Sequence, residues 1–174
     1  MSTRNADPGP AVVVMGVSAS GKSSVAAALA ARLGVAWADA DDLHPAANVR
    51  KMSSGIPLDD DDRRPWLAAV GARLADGAAA GGIVMACSAL KRVYRDQLRA
   101  ECPATVFVHL DGPRALLAAR AGAREDHFMP PALLDSQIAT LEPLESAERG
   151  VVIDVEASVD DIAEDAARWV AEHA

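Results

Sequence analysis

The hydrophobic positions of this chain fall into two alternating rhythms. Short β-branched or apolar runs at 11–15, 35–38, 82–87, 105–110 and 151–155 read as strands. Between them, the stretches 22–33, 64–80, 91–101, 114–123, 131–141 and 159–171 carry apolar residues at helical spacing. This alternation predicts an α/β fold, a five-stranded parallel sheet flanked by helices in three layers. Gly34 and Pro103 are stop signals after helices, and Asp62 ahead of Pro65 and Trp66 suits a helix start. Residues 1–10 read as a polar, frayed tail without the apolar stretch of a signal peptide. Two segments break the rhythm, an insert at 42–60 and a second at 120–131. In such folds, loops and small inserts at the carboxyl ends of strands carry function.

Composition narrows this picture. At 174 residues and 51% hydrophobic, the chain suits one domain at 11–174 that needs no disulfide or metal staple. The 25 acidic against 17 basic residues give a net charge of −8, which argues against nucleic acid or an anionic membrane as partner. Aromatic residues are only 3%, so stacking platforms for single-stranded nucleic acid are lacking. No apolar run approaches the ~20 residues that span a bilayer. Two cysteines, Cys87 and Cys102, without zinc spacing suit a reduced, cytoplasmic setting.

The most specific chemistry lies at 16–23. Gly16-Val17-Ser18-Ala19-Ser20-Gly21-Lys22-Ser23 joins the run AVVVM to an alanine-rich helix, which is G-x-x-x-x-G-K-S in its strand-to-helix setting. Backbone N–H groups from Gly16 through Ser24 turn toward phosphate oxygens, and the helix start adds its positive end. Lys22 supplies a mobile cation for the β- and γ-phosphates, and the Ser23 hydroxyl suits Mg2+. Nucleoside triphosphate binding follows.

The second strand runs into Asp39-Ala40-Asp41-Asp42-Leu43-His44. Carboxylates crowded beside a phosphate site repel one another unless Mg2+ or a substrate hydroxyl compensates. A kinase acting on an alcohol needs one carboxylate to orient the hydroxyl and take its proton, a role that falls to Asp41, while Asp39 supports the metal through water. Helix capping is the structural alternative for Asp42 and Asp39.

From about Val13 to the final helix, the chain resembles the gluconate kinase family of small P-loop carbohydrate kinases. The resemblance rests on MGVSASGKSS, DADDLHPAANVRKMSSGIPLDDDDRRPWL, CSALKRVYRDQLR, FVHLDG and HFMPPALLDSQIATLEPLE. It implies transfer of the ATP γ-phosphate to the 6-hydroxyl of D-gluconate, with a substrate-binding insert, a lid at 120–131, and the homodimeric state common among relatives. Ala19 departs from the glycine frequent there, so a positive φ would strain the loop. Arg50 stands where some relatives have an acidic residue.

A polyol carboxylate needs a cation and several hydrogen-bonding groups. His44, Arg50 and Lys51 lie in the insert, with capping or solvated roles as alternatives. Asp59–Asp62 with Arg63 and Arg64 reads as a helix start, and the resemblance implies that Arg63 turns inward to substrate or Asp41. Ser88 after the third strand can orient a magnesium water or a hydroxyl. Cys87 reads as packing, and Lys91 and Arg95, one turn apart, can meet an anion or stay on the surface. Arg120 and Arg124 share a helix face ahead of His127, and the resemblance makes them lid arginines over the transferring phosphoryl group. A shikimate-type kinase and a non-catalytic nucleotide-binding module are the rival functions.

Overall fold

The computed structural model describes residues 7–123 and 131–174. Five strands, β1 (Ala11–Met15), β2 (Ala36–Asp39), β3 (Ile83–Ala86), β4 (Val106–Asp111) and β5 (Gly150–Asp154), form one sheet in the order β2-β3-β1-β4-β5. Every neighbouring pair is parallel. The all-apolar β1 is the central strand and is buried from end to end, as a strand covered on both faces must be.

Alternation along β1 divides the core in two. Val12 and Val14 join Val25 and Leu29 of α1 (Lys22–Leu33) and Ile162 and Val170 of α7 (Val159–His173). Val13 and Met15 point the other way, to Trp66, Leu67 and Leu74 of α3 (Asp60–Ala79) and Leu98 of α4 (Arg92–Glu101). Three further helices are α2 (Ala46–Ser53) in the insert, α5 (Arg114–Gly122) and α6 (Pro131–Thr140). The three-layer α/β arrangement expected from the alternation is the one found, with strand limits displaced by at most one residue.

The insert and the start of α3 differ more. A 3-10 turn at Ala40–Leu43 carries the acidic cluster, and α2 follows it. Helix α3 begins at Asp60 rather than residue 64 because Asp59 and Asp62 form a reciprocal capping box. The Asp59 carboxylate accepts from the Asp62 N–H at 2.7 Å, and Asp62 accepts from the Asp59 N–H at 3.1 Å. Pro65 therefore lies in the second turn, giving up one helical hydrogen bond, instead of at the helix start.

Arg95, expected as an anion ligand, is fully buried inside the fold. Its Nε and one terminal nitrogen donate to the two oxygens of Glu148 at 2.8 and 3.1 Å. Its other protons go to the carbonyls of Ala89, Leu90 and Pro143. A guanidinium has five donors, and all are thus spent on the protein. Arg95 is a strut joining the loop after β3 to the loop before β5, which corrects the ligand expectation.

The phosphate loop bends as its sequence suggests. Gly16 has φ 150, and a Cβ there would meet the Leu110 carbonyl and the Ser20 hydroxyl at 2.8 Å. Ala19 has φ 63, the left-handed conformation that costs a residue with a Cβ about 1–2 kcal/mol.

Two stability outcomes follow. Glu148→Ala leaves the Arg95 charge buried and unpaired, with an expected loss of about 3–5 kcal/mol in chemical denaturation. In the native protein, burial pushes the Glu148 carboxyl up, but hydrogen bonds from Arg95, the Glu145 N–H and Arg99 outweigh it and hold the pKa down at about 2. Because the folded value lies below the unfolded one, the stabilisation is complete above the ordinary glutamate range. It disappears as pH falls toward 2, which a pH series of thermal melts reads directly. Ala19→Gly relieves the loop and should raise stability by up to about 1 kcal/mol, part of the gain being offset by glycine's unfolded-state entropy.

Candidate active site

The carboxyl ends of β1, β2 and β3 open on one polar cleft. It is lined by the phosphate loop from Ser18 to Ser23, by Asp39 and Asp41, by Ser88, and from the far side by Gln137. Gly21 caps α1 with φ 90, so the first turn of the helix begins at Lys22. The Lys22 ammonium folds back to the Val17 carbonyl at 3.0 Å, within the loop whose anion it would meet. The Ser18 N–H points outward and is taken by the Gln137 side-chain oxygen at 2.7 Å. Ser20 is buried, and its N–H closes a turn to the Val17 carbonyl. Ser24 is exposed on α1 and is not among the residues lining the cleft.

Asp39 is the junction of the site. Its Oδ2 accepts the Ser23 hydroxyl at 2.9 Å, and its Oδ1 accepts the Asp41 N–H at 3.0 Å. One carboxylate thereby fixes the phosphate-loop serine relative to the turn bearing Asp41. Hard oxygens in pairs suit Mg2+, which takes one or two protein ligands and completes its shell with phosphate oxygens and water. No group of three or more His, Cys, Asp or Glu suited to a metal occurs among the described residues, so Ser23 and Asp39 constitute a partial site of that kind.

Asp41 faces the cleft with most of its side chain open. Partial burial against the cleft wall and the negative charge of Asp39 raise its pKa, against the pull of Lys22 and His44. A more basic carboxylate is better matched to proton acceptance. Neighbouring His44 stacks on the Trp66 indole, with centroids 4.3 Å apart, and Trp66 donates to the Ala40 carbonyl at 2.7 Å. The tryptophan thus pins both the turn and the histidine.

Asn48, only 4% exposed, sets the histidine's protonation. Its amide nitrogen donates to the Asp62 carbonyl at 2.9 Å and contacts His44 Nδ1 at 3.3 Å. Since that nitrogen can only donate, Nδ1 is the acceptor and the ring proton sits on Nε2. Nε2 lies 4.0 Å from Asp41 Oδ1. Burial lowers the His44 pKa, and Arg63 adds to the effect, while Asp41 opposes it.

The other expected ligands are distributed differently. Lys51 grips both oxygens of Asp62 at 2.9 and 2.8 Å, tying α2 to α3. Arg50 is exposed on α2. Arg63 donates to the Tyr94 hydroxyl at 3.1 Å, and Lys91 reaches Asp60 at 3.4 Å beneath the same ring. The Tyr94 hydroxyl in turn donates to Asp60 at 2.5 Å, so a connected polar cluster braces α3 against α4. Ser88 lines the cleft, and its carbonyl accepts the Gly16 N–H at 3.3 Å. Arg120 is engaged elsewhere: it donates to the Val155 carbonyl at 2.8 Å, at the loop after β5. Arg124 and His127 lie outside the described residues. Cys87 is buried, and burial pushes its thiol up to about 12, consistent with packing.

Sequence reading alone missed Asn48 and Gln137. Neutral amides carry neither charge nor motif, and their partners lie 14 and 119 residues away along the chain. Trp66 announced packing but not its hydrogen bond to the acidic turn.

Comparison with known proteins agrees with this geometry. Residues 12–144 match the AAA domain family. A gluconokinase of Gluconobacter oxydans is 54% identical over 132 residues, 75% of this chain and 74% of that protein. The crystal structure of a gluconokinase from Sinorhizobium meliloti superposes with a TM-score of 0.85 at 48% identity, covering 95% of this chain and 93% of that one. An APS kinase from Mycobacterium tuberculosis, solved with AMPPNP and APS, shares the fold at TM-score 0.71 and 19% identity, over 95% and 99% of the two chains. With its phosphate loop, parallel sheet and near full-length relatives in accord, the chain belongs to the gluconokinase family of P-loop kinases.

Proposed function

We propose that this protein phosphorylates D-gluconate at its 6-hydroxyl, with ATP as donor, giving 6-phospho-D-gluconate and ADP. The observation that carries the reading is the placement of Asp41 in the same cleft as Lys22 and Ser23, with Asp39 fixing the distance between the two halves. The gluconokinase relatives supply the acceptor.

The phosphate-loop N–H groups and Lys22 bind the β- and γ-phosphates and hold the terminal phosphorus toward β2. Ser23 and Asp39 would hold Mg2+, which when bound neutralises charge on the phosphate oxygens. Asp41 orients the sugar hydroxyl and accepts its proton as the new O–P bond forms and the bond to the β–γ bridging oxygen breaks, releasing ADP. His44, neutral and carrying its proton on Nε2, offers a donor beside Asp41 for a substrate oxygen. Arg50 and Ser88 are the remaining candidates for the polyol and its carboxylate. Lys51, Arg63 and Lys91 reach substrate only by leaving their present partners. The same holds for Arg120 and the transferring phosphoryl group. No helix among the described residues is long and apolar enough to cross a membrane, and the acceptor is a small polar molecule.

The decisive measurement is ADP release with gluconate present and absent. Gluconate-dependent release is expected, and release dependent on shikimate but not gluconate would favour the rival kinase. Nucleotide binding with no acceptor-dependent release would favour the non-catalytic module. Asp41→Asn should lower kcat by at least about a hundredfold while leaving ATP affinity within a few fold, and Lys22→Ala should weaken both. Because the Asp41 pKa is raised, kcat/KM should fall with decreasing pH at a value above the ordinary aspartate range of about 4, and the asparagine variant should lose that limb.

A further inference from the structure

The polar cleft has one wall that the phosphate-loop chemistry does not require. Most of its lining comes from the loop and from the ends of β2 and β3, whereas Gln137 reaches in from α6, the first described helix after residue 130. Its oxygen sits 2.7 Å from the Ser18 N–H, at the short end of the N–H···O range. That N–H belongs to the set a phosphate loop turns toward phosphate oxygens. A neutral carbonyl oxygen therefore occupies a place suited to an anionic one. No partner for the Gln137 amide nitrogen occurs among the described residues, and the same cleft contains Lys22, Ser23, Asp41 and Ser88.

A side-chain amide differs from every other group at this position in having an acceptor and a donor at one end. With the cleft free of phosphate, the acceptor satisfies Ser18. Phosphate carries acceptors only, so its arrival displaces the amide oxygen and repels it. The nitrogen end of the same group is then the complementary partner, and a turn of about 180° about the terminal torsion presents it, since that torsion is broad and nearly two-fold. A hydrogen bond from a neutral donor to an anionic oxygen is stronger than the neutral bond it replaces.

We propose that Gln137 is a further positioning residue of the phosphoryl-transfer site, which stands in for a phosphate oxygen on the Ser18 N–H and, on nucleotide binding, turns its amide N–H onto the terminal phosphate. The inference rests on the kinase reading above for its chemistry, but it concerns the nucleotide end of the cleft and not the identity of the acceptor. It assigns to α6 a direct part in aligning the donor phosphate. Since the bond gained to phosphate outweighs the one given up at Ser18, the exchange also requires that Gln137 support binding modestly and turnover strongly. Removing the amide takes away the donor on the terminal phosphate, which weakens binding slightly and leaves the reacting group misaligned.

The test uses the full chain with Gln137→Ala and Gln137→Glu. ATP dissociation constants are measured by calorimetry without acceptor, kcat and KM are measured with gluconate, and melting temperatures are recorded for each variant. For Gln137→Ala the expected result is ATP binding weakened by no more than about fivefold, together with a kcat at least about tenfold lower and an unchanged melting temperature. Gln137→Glu, which keeps the acceptor shape but adds a charge facing phosphate, should weaken ATP binding at least about tenfold. An alanine variant with undiminished kcat overturns the proposal. So does one in which ATP affinity and kcat fall together with the melting temperature, the outcome of a merely structural contact. A glutamate variant that binds ATP as the parent does overturns it as well. If the parent binds ATP but does not phosphorylate gluconate, the function proposed above fails, while the two binding measurements still decide the Ser18 exchange.

Discussion

The phosphate loop and the acidic turn after β2 are held to one another by a single carboxylate. Asp39 ends β2, holds the Ser23 hydroxyl of α1 with one oxygen and caps the 3-10 turn of Asp41 with the other. Both bonds have ordinary lengths, and both belong to backbone or side-chain groups anchored in regular elements. If Asp39 were moved, the phosphate loop and the acidic turn would lose their common reference. The arrangement is costly, since burial and then the neighbouring charge of Asp39 raise the Asp41 pKa. Folding tolerates that cost because Trp66 clamps the turn from below, through the Ala40 carbonyl and the face of His44. An energetically unfavourable pair is thus held in place by packing, the usual way a fold stores chemical readiness.

The cations separate into those that brace the site and those left to face it. Arg95 and Glu148 are fully buried, with Arg99 and the Glu145 N–H completing the carboxylate's bonds. Lys51 with Asp62, and Arg63 and Lys91 with Tyr94 and Asp60, bind the insert and α4 to α3. Each pair is individually modest where exposed, yet together they fix three helices around the cleft. That leaves Lys22 lining the cleft as its cation, at the mouth of the phosphate loop.

Legibility in the sequence followed the range of the interactions. The core strands and the phosphate loop depend on local pattern, and β1, Gly16, Gly21 and the glycine cap at Gly34 were readable from it, whereas the strand order was not. Ala19 was readable as a strained departure, and its φ of 63 bears that out. The capping box at Asp59 and Asp62 extended α3 beyond its expected start because two of four successive acids cap the helix end. Arg95 was unreadable, since its acidic partner lies 53 residues later and nothing local distinguishes a buried guanidinium from a surface one. Asn48 and Gln137 were invisible for a related reason, as an amide's role is defined by what it meets across the fold.

The binding of a polyanion by a chain of net charge −8 has a physical explanation in these contacts. Net charge governs interactions beyond about a Debye length, roughly 8 Å at physiological salt, whereas the phosphate loop works at hydrogen-bond range. Backbone N–H groups, the start of α1 and one lysine provide a positive potential confined to the loop, while Asp39 and Asp41 make its rim negative. A bare triphosphate meets repulsion at that rim, so a divalent cation matched to Ser23 and Asp39 is favoured to accompany it. In the reaction proposed above, the acidic rim therefore favours the metal-bound form of the nucleotide, and Asp41, which repels the free anion, is left to meet the acceptor hydroxyl once that charge is neutralised.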